Sequence, residues 1–241
     1  MTDLATVEWP IRDLPSPNWD TRPQGVPVDM LILHYTGMQS AQAALDRLRD
    51  SAARVSSHYV VDEDGAVWRL VAEQHRAWHA GVSYWRGHTV LNDRSVGIEI
   101  VNPGHEWGYR PFPALQMAAV CDLCLAILGR HPIPARNVVG HSDVAPDRKQ
   151  DPGELFDWPG LAANGVGLWP GPAAEAGLVG DVPGALRAGD VSGALRAIGY
   201  GDGDPAAALR AFQRHWLPDA VTGWADAATQ ARLHAVLAAM A

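Results

Sequence analysis

The chain has 241 residues, 47% of them hydrophobic and 19% charged, with a formal net charge of -8. Such a length suits one well-cored domain plus a smaller partner, and no stretch approaches the roughly 20 apolar residues that would span a bilayer. The acidic balance argues against nucleic acid as a partner, because bulk electrostatic binding needs a basic surface.

The amino-terminal MTDLATVEWPIRDLPSPNW carries acids and prolines where a secretory leader needs a basic start and an apolar run of about 7 to 15 residues. The expectation is a cytoplasmic location, with the periplasm as the alternative. After this Pro-rich arm, Met30 to Tyr35 (MLILHY) is a short apolar run that reads as a buried strand delivering His34 to a sheet edge. Ser40 can cap a helix whose apolar stripe includes Ala41, Ala44, Leu45 and Leu48. HYVV, the turn DEDG and AVWRLV then read as strand, turn and strand, and Val96 to Val101 (VGIEIV) as a further strand.

A long helical pattern follows, in which Met117, Val120, Cys121, Cys124, Leu125 and Leu128 recur at the spacing of one buried face. That placement makes Cys121 and Cys124 core residues and not a redox or metal pair. NVVG (137–140) ends directly at His141. Strands alternating with helices predict an α/β fold, a mixed central sheet flanked by helices.

LAANGVGLWPGPAAEAG reads as a tether. Beyond it ALRAIGYG, PAAALRAFQRHW and ADAATQARLHAVLAAM are three short helical patterns, punctuated by Asp204-Pro205 and Thr222-Gly223, which predict a small three-helix bundle. The expected organisation is a main domain over 1–163, a linker over 164–180 and the bundle over 181–241, in a monomer.

His34, His141 and Asp151 are ligand types suited to zinc, and three protein ligands leave the fourth tetrahedral position open for water. Two neutral imidazoles and one carboxylate leave such a site net positive, which lowers the water's pKa to about 7. Spacing alone does not single them out among ten histidines, and there is no compact H-E-x-x-H helix. Glu99 interrupts an apolar strand. It is either the solvent-facing side of an edge strand or a general base or acid beside a reactive water.

Lys149 is the chain's single lysine, the other 18 of its 19 basic residues being arginines. In an extended segment it projects to the same side as Asp151, where a compact ammonium could stabilise an oxyanion. His58 and His79 flank strand ends approaching the edge that carries His34, so each can touch substrate or support a ligand. His75, His88, His105, His131, His215 and His234 lie in polar or turn-like contexts and read as surface residues.

In order along the chain, LILHYTG, SSHYVVDEDG, VWRLV, AWHAG, NDRSVGIEIVN and VVGHSDVAPDRKQDPG resemble the zinc-dependent N-acetylmuramoyl-L-alanine amidases related to bacteriophage lysozyme-type amidases and peptidoglycan recognition proteins. The resemblance covers residues 28–160. It implies that His34, His141 and Asp151 bind one Zn2+ and that Glu99 and Lys149 are catalytic; His58, His79 and Asn92 are the expected substrate contacts. The implied reaction cleaves the amide joining the lactyl group of N-acetylmuramic acid, including its 1,6-anhydro form, to L-alanine in muropeptides, as in wall recycling. The alternatives are a non-catalytic wall-recognition protein, another small-amide hydrolase and an exported wall-remodelling amidase. LRAIGYG, AALRAFQRHW and TGWADAATQARL resemble small peptidoglycan-binding helical domains, with the first two segments closer together than that family has them.

Overall fold

The structure is a computed structural model that describes residues 10–171 and 191–240. Its centre is β3 (Met30–Tyr35), the predicted apolar run, which lies between β7 (Ser95–Ile100) and β8 (Val138–Gly140) and pairs parallel with both. Outward from β7 come β4 (Tyr59–Val61), β5 (Val67–Arg69) and β1 (Ile11–Asp13), giving the order β1-β5-β4-β7-β3-β8. Only β4–β5 is antiparallel, the hairpin expected around DEDG, so the sheet is mixed. A separate antiparallel ribbon joins β2 (Trp19–Thr21) to β6 (His75–Ala77). The Pro-rich arm therefore contains two short strands, β1 and β2.

Side chains alternate between sheet faces, and each face buries a different partner. Leu31, Leu33, Val96, Ile98 and Ile100 pack against Val120, Leu123, Cys124 and Ile127 of α3 (Ala114–Arg130). Cys124 is fully buried and Cys121 half-buried, in keeping with core packing, but Leu125 is 41% exposed. The buried face of α3 is thus rotated from the expected one: its apolar surface is wider than one stripe, and Leu123 and Ile127 dock on the sheet in place of Leu125.

On the opposite face Leu45 and Leu48 of α1 (Ala41–Arg49) cover Val60, and Ser40 caps that helix by accepting from the Ala43 amide. Beside α1, Met30, Ile32 and Val139 pack against the C-terminal helices α6 (Val191–Ile198), α7 (Pro205–Trp216) and α8 (Ala227–Met240). Phe212 and Ile198 are essentially inaccessible there, and each such side chain stabilises the fold by about 1.5–3 kcal/mol. The three predicted helices thus form a layer on the sheet. Of the expected linker, residues 172–180 lie outside the described residues, as do 181–190 of the bundle and 1–9 of the arm. Among the described residues no helix is long and apolar enough to cross a membrane.

Candidate active site

Strand register assembles the site. His34 is paired with Glu99 across β3 and β7, so both project from the face that carries Met30 and Ile32, just where the strands end. β8 stops at Gly140, and His141 opens the short helix α4 (His141–Val144) next to β3. An added Cβ on Gly140 would meet the Pro152 side chain at 2.7 Å, so the bare backbone lets the Asp151 loop close over this turn.

Three acceptor atoms then converge. His34 Nδ1 and His141 Nδ1 lie 2.9 Å apart, and Asp151 Oδ2 lies 3.1 and 3.0 Å from them. All three residues are buried. The opposite ring nitrogens decide the tautomers. His141 Nε2 donates to the Ala80 carbonyl at 3.2 Å, which leaves its Nδ1 as a lone pair.

For His34 the chain of bonds is longer. The Ser95 hydroxyl donates to the Leu91 carbonyl at 2.7 Å and so accepts from His79 Nε2 at 3.1 Å. His79 Nδ1 in turn accepts from His34 Nε2 at 3.0 Å, and His34 Nδ1 is left bare. Burial foremost, then the neighbouring His141, lowers the His34 pKa to about 4, so its ring is neutral at ordinary pH. Burial and the His34 ring likewise hold His79 well below the usual imidazole range. Burial alone would raise Asp151, but the two imidazoles outweigh it and hold the carboxyl well below the usual range. Two lone pairs and a carboxylate aimed at one point are satisfied by a cation, and the mixed N and O donors suit zinc.

The group opens into a cleft of about 420 Å³ lined by Glu99, Lys149, His79, Tyr35, His105 and Trp78, among others. Glu99 borders this cleft, yet its Oε2 is sealed from water without a hydrogen-bond partner. Burial first, and the charge of Asp151 second, push its carboxyl up to about 8, with Lys149 pulling the other way. A carboxyl so tuned can take and return a proton near neutrality.

His79 occupies its place because β7 has a glycine beneath it: a Cβ on Gly97 would fall 2.5 Å from the ring. Asn92 uses its carboxamide oxygen to accept from the His79 and Ala80 amides at 3.2 and 2.8 Å. His58 is fully buried, its Nδ1 accepting from Gly97 and its Nε2 facing the His75 carbonyl. The site residues named from sequence therefore divide. His34, His141, Asp151, Glu99, Lys149 and His79 line or adjoin the cleft, whereas His58 and Asn92 are not part of its lining: His58 is fully buried, and Asn92 turns its carboxamide oxygen to the His79 and Ala80 amides.

Two further histidines matter, of which only His215 departs from the expected surface placement. His105, on the short helix α2 (Gly104–Trp107), is exposed but borders the cleft, stacked on Tyr109 at 4.3 Å and bonded to the Tyr35 hydroxyl at 3.0 Å. His215 is buried. Neither carried a motif, and the Tyr35 hydroxyl that meets His105 and the Asp143 carboxylate that meets His215 lie 70 and 72 positions away.

Two imidazoles and a carboxylate at the end of a mixed sheet, beside a raised carboxyl and a lone ammonium, are the parts of a metal-dependent hydrolase. The family model described as N-acetylmuramoyl-L-alanine amidase matches residues 24–154. The amidase AmiD of Escherichia coli is 38% identical over 230 residues, covering 87% of this chain and 82% of its own. Its solved complex with anhydro-N-acetylmuramic acid-L-Ala-D-gamma-Glu-L-Lys superposes with a TM-score of 0.79 at 37% identity, covering 90% of this chain and 92% of that one. AmpDh3 of Pseudomonas aeruginosa with anhydromuramic pentapeptide gives 0.76 at 33% identity, covering 90% and 93%. The chain belongs to the N-acetylmuramoyl-L-alanine amidase family and is an amide hydrolase of that type.

Proposed function

We propose that the chain uses one zinc ion, held by His34, His141 and Asp151, to cleave the amide between N-acetylmuramic acid and L-alanine in soluble muropeptides, the 1,6-anhydro form included, during wall recycling. The convergence of three unprotonated acceptors within 3.1 Å carries this reading. The substrates named for the AmiD and AmpDh3 complexes support the anhydro form. Zinc held by these three residues would polarise the scissile carbonyl and acidify a water.

The chain's own residues do the rest. Glu99, bordering the cleft, takes the proton from the attacking water and passes it to the departing amine of L-alanine. Lys149 places a compact positive charge on the same side of the cleft and stabilises the oxyanion. His79 holds the His34 tautomer through Ser95, while Asn92 and His58 keep His79 and β7 in position. Residues 1–163 form the catalytic part, 164–180 the connection and 181–241 a helical part related to wall-binding modules, in a monomer that works in the cytoplasm.

Mass spectrometry of a digested anhydro-muropeptide should show free anhydro-muramic acid and an intact stem peptide, and zinc analysis should show one ion per chain. Stoichiometric zinc after His34→Ala and Asp151→Ala together would remove the ligand assignment. Cleavage of intact wall in preference to the anhydro-muropeptide, or recovery of the protein from the periplasm, would replace recycling by wall remodelling.

A further inference from the structure

The C-terminal helices contribute a polar cluster that the catalytic reading does not use. Asp143 lies two residues beyond His141, and its side chain has no exposed surface. A carboxylate so placed has to be met by donors. One comes from its own segment: the Gly140 amide donates to Oδ2 at 2.8 Å, closing the turn from which His141 starts α4. The others come from the far end of the chain. His215 Nδ1 donates to Oδ2 at 2.7 Å and the Tyr200 hydroxyl to Oδ1 at 2.6 Å. Both donors lie beyond the residues 24–154 that the family model matches.

His215 is itself fixed, its ring stacked on Trp158 at 3.8 Å and on Trp216 at 4.0 Å. Trp158 opens α5 (Trp158–Ala163), in the segment that follows Asp151. The preceding residue on α7, Arg214, donates to Gln150 Oε1 at 3.3 Å and pairs with Glu154 at 3.8 Å. Gln150 and Glu154 flank Asp151. Two consecutive residues at the end of α7 therefore grip both segments that carry the ligands His141 and Asp151.

We propose that His215 and Tyr200 are positioning residues for the metal site: by holding Asp143 they fix the Gly140–His141 turn, and with Arg214 they set His141 relative to Asp151. The C-terminal helices are on this view a working part of the catalytic centre and not a detachable wall-binding appendage. The inference rests on the zinc reading above. Without the His215 donor the buried carboxylate must find other partners, and the turn it caps is the one that aims a ligand.

The test uses the full chain. Zinc dissociation constants come from competition with a chromophoric chelator, geometry from the visible spectrum of the cobalt(II) form, and stability from melting of the metal-free protein. A wild type that binds no zinc defeats the zinc reading itself, separately from this inference. With zinc bound by the wild type, His215→Ala should weaken it about tenfold or more and alter the cobalt spectrum, the range seen when supports of metal ligands are removed.

His215→Asn, whose amide can still donate to Oδ2, should hold affinity within about threefold of wild type, well short of that loss. If His215→Ala does not fold, Tyr200→Phe carries the test, with a loss of about tenfold and the same spectral change. Leu233→Ala opens a cavity in the same helical core away from Asp143; it should lower the melting temperature and leave both metal readouts unchanged. Unaltered zinc affinity and cobalt spectrum in the folded variant of the network, or equal metal loss in Leu233→Ala, overturns the proposal.

Discussion

Replacing Glu99 by Gln should abolish most turnover and at the same time stabilise the metal-free protein. Burial holds the Glu99 carboxyl at about 8 against an ordinary value of 4.5. At roughly 1.4 kcal/mol per tenfold, that is a penalty of about 5 kcal/mol on the fully ionised form, of which about 3 kcal/mol is felt at pH 7. Water in the cleft reduces the figure to about 2 kcal/mol.

Because the folded-state value is raised, the folded chain binds more protons than the unfolded one between pH 4.5 and 8, and wild-type stability falls across that window. Gln carries no such penalty. Urea unfolding in the presence of chelator should show the two proteins equal below about pH 4.5, the gap opening in favour of Glu99→Gln as pH rises and levelling above about 8. Turnover of an anhydro-muropeptide should fall about 100 to 10,000-fold, the usual contribution of a general base. A pH-independent gap, a less stable Gln variant or near-normal hydrolysis would refute the reasoning.

Lys149→Ala should lower kcat about 100-fold or more with little change in KM, as expected for a charge that acts on the transition state; steady-state kinetics showing the loss wholly in KM would contradict this. Glu73 is pushed up by burial but held at about 2 by Arg130, Tyr59 and His131, so the stability it contributes is present above pH 4.5 and lost as pH falls through about 2. Glu73→Gln should therefore lose about 2 kcal/mol at pH 7 and almost nothing at pH 2, measured by denaturant unfolding. Gly97→Ala should drive His79 off β7, destabilise the chain by about 1–3 kcal/mol and weaken zinc retention, read by melting and by chelator competition. A Gly97→Ala protein with wild-type melting and metal retention would show that the His79 ring yields freely.

Much of this arrangement is legible in the sequence wherever a short apolar run ends in a polar residue. MLILHY, VGIEI and NVVG each end at a strand terminus, and that is why local pattern alone places His34, Glu99 and His141. The ordered family segments then chose among ten histidines. What escaped has physical reasons. β1 and β2 are three-residue strands with every residue exposed, so they show no alternation to read. His58 adjoins a strand end like a true contact residue and Asn92 lies in the short turn before β7, and only burial and their bonds to neighbouring backbone tell them apart. His215 sits in the polar-looking stretch FQRHW, and its partner Asp143 is 72 positions away, a separation no local pattern reports.

Lys149, partly buried on the wall of the cleft, is the chain's single lysine. Amine-directed reagents therefore find one side chain in this chain besides a terminal amine, and it stands beside the reacting groups. Reductive methylation with labelled formaldehyde would install a single side-chain spectroscopic reporter in the cleft without any mutation, and occupancy of the cleft could be followed as protection of that one amine.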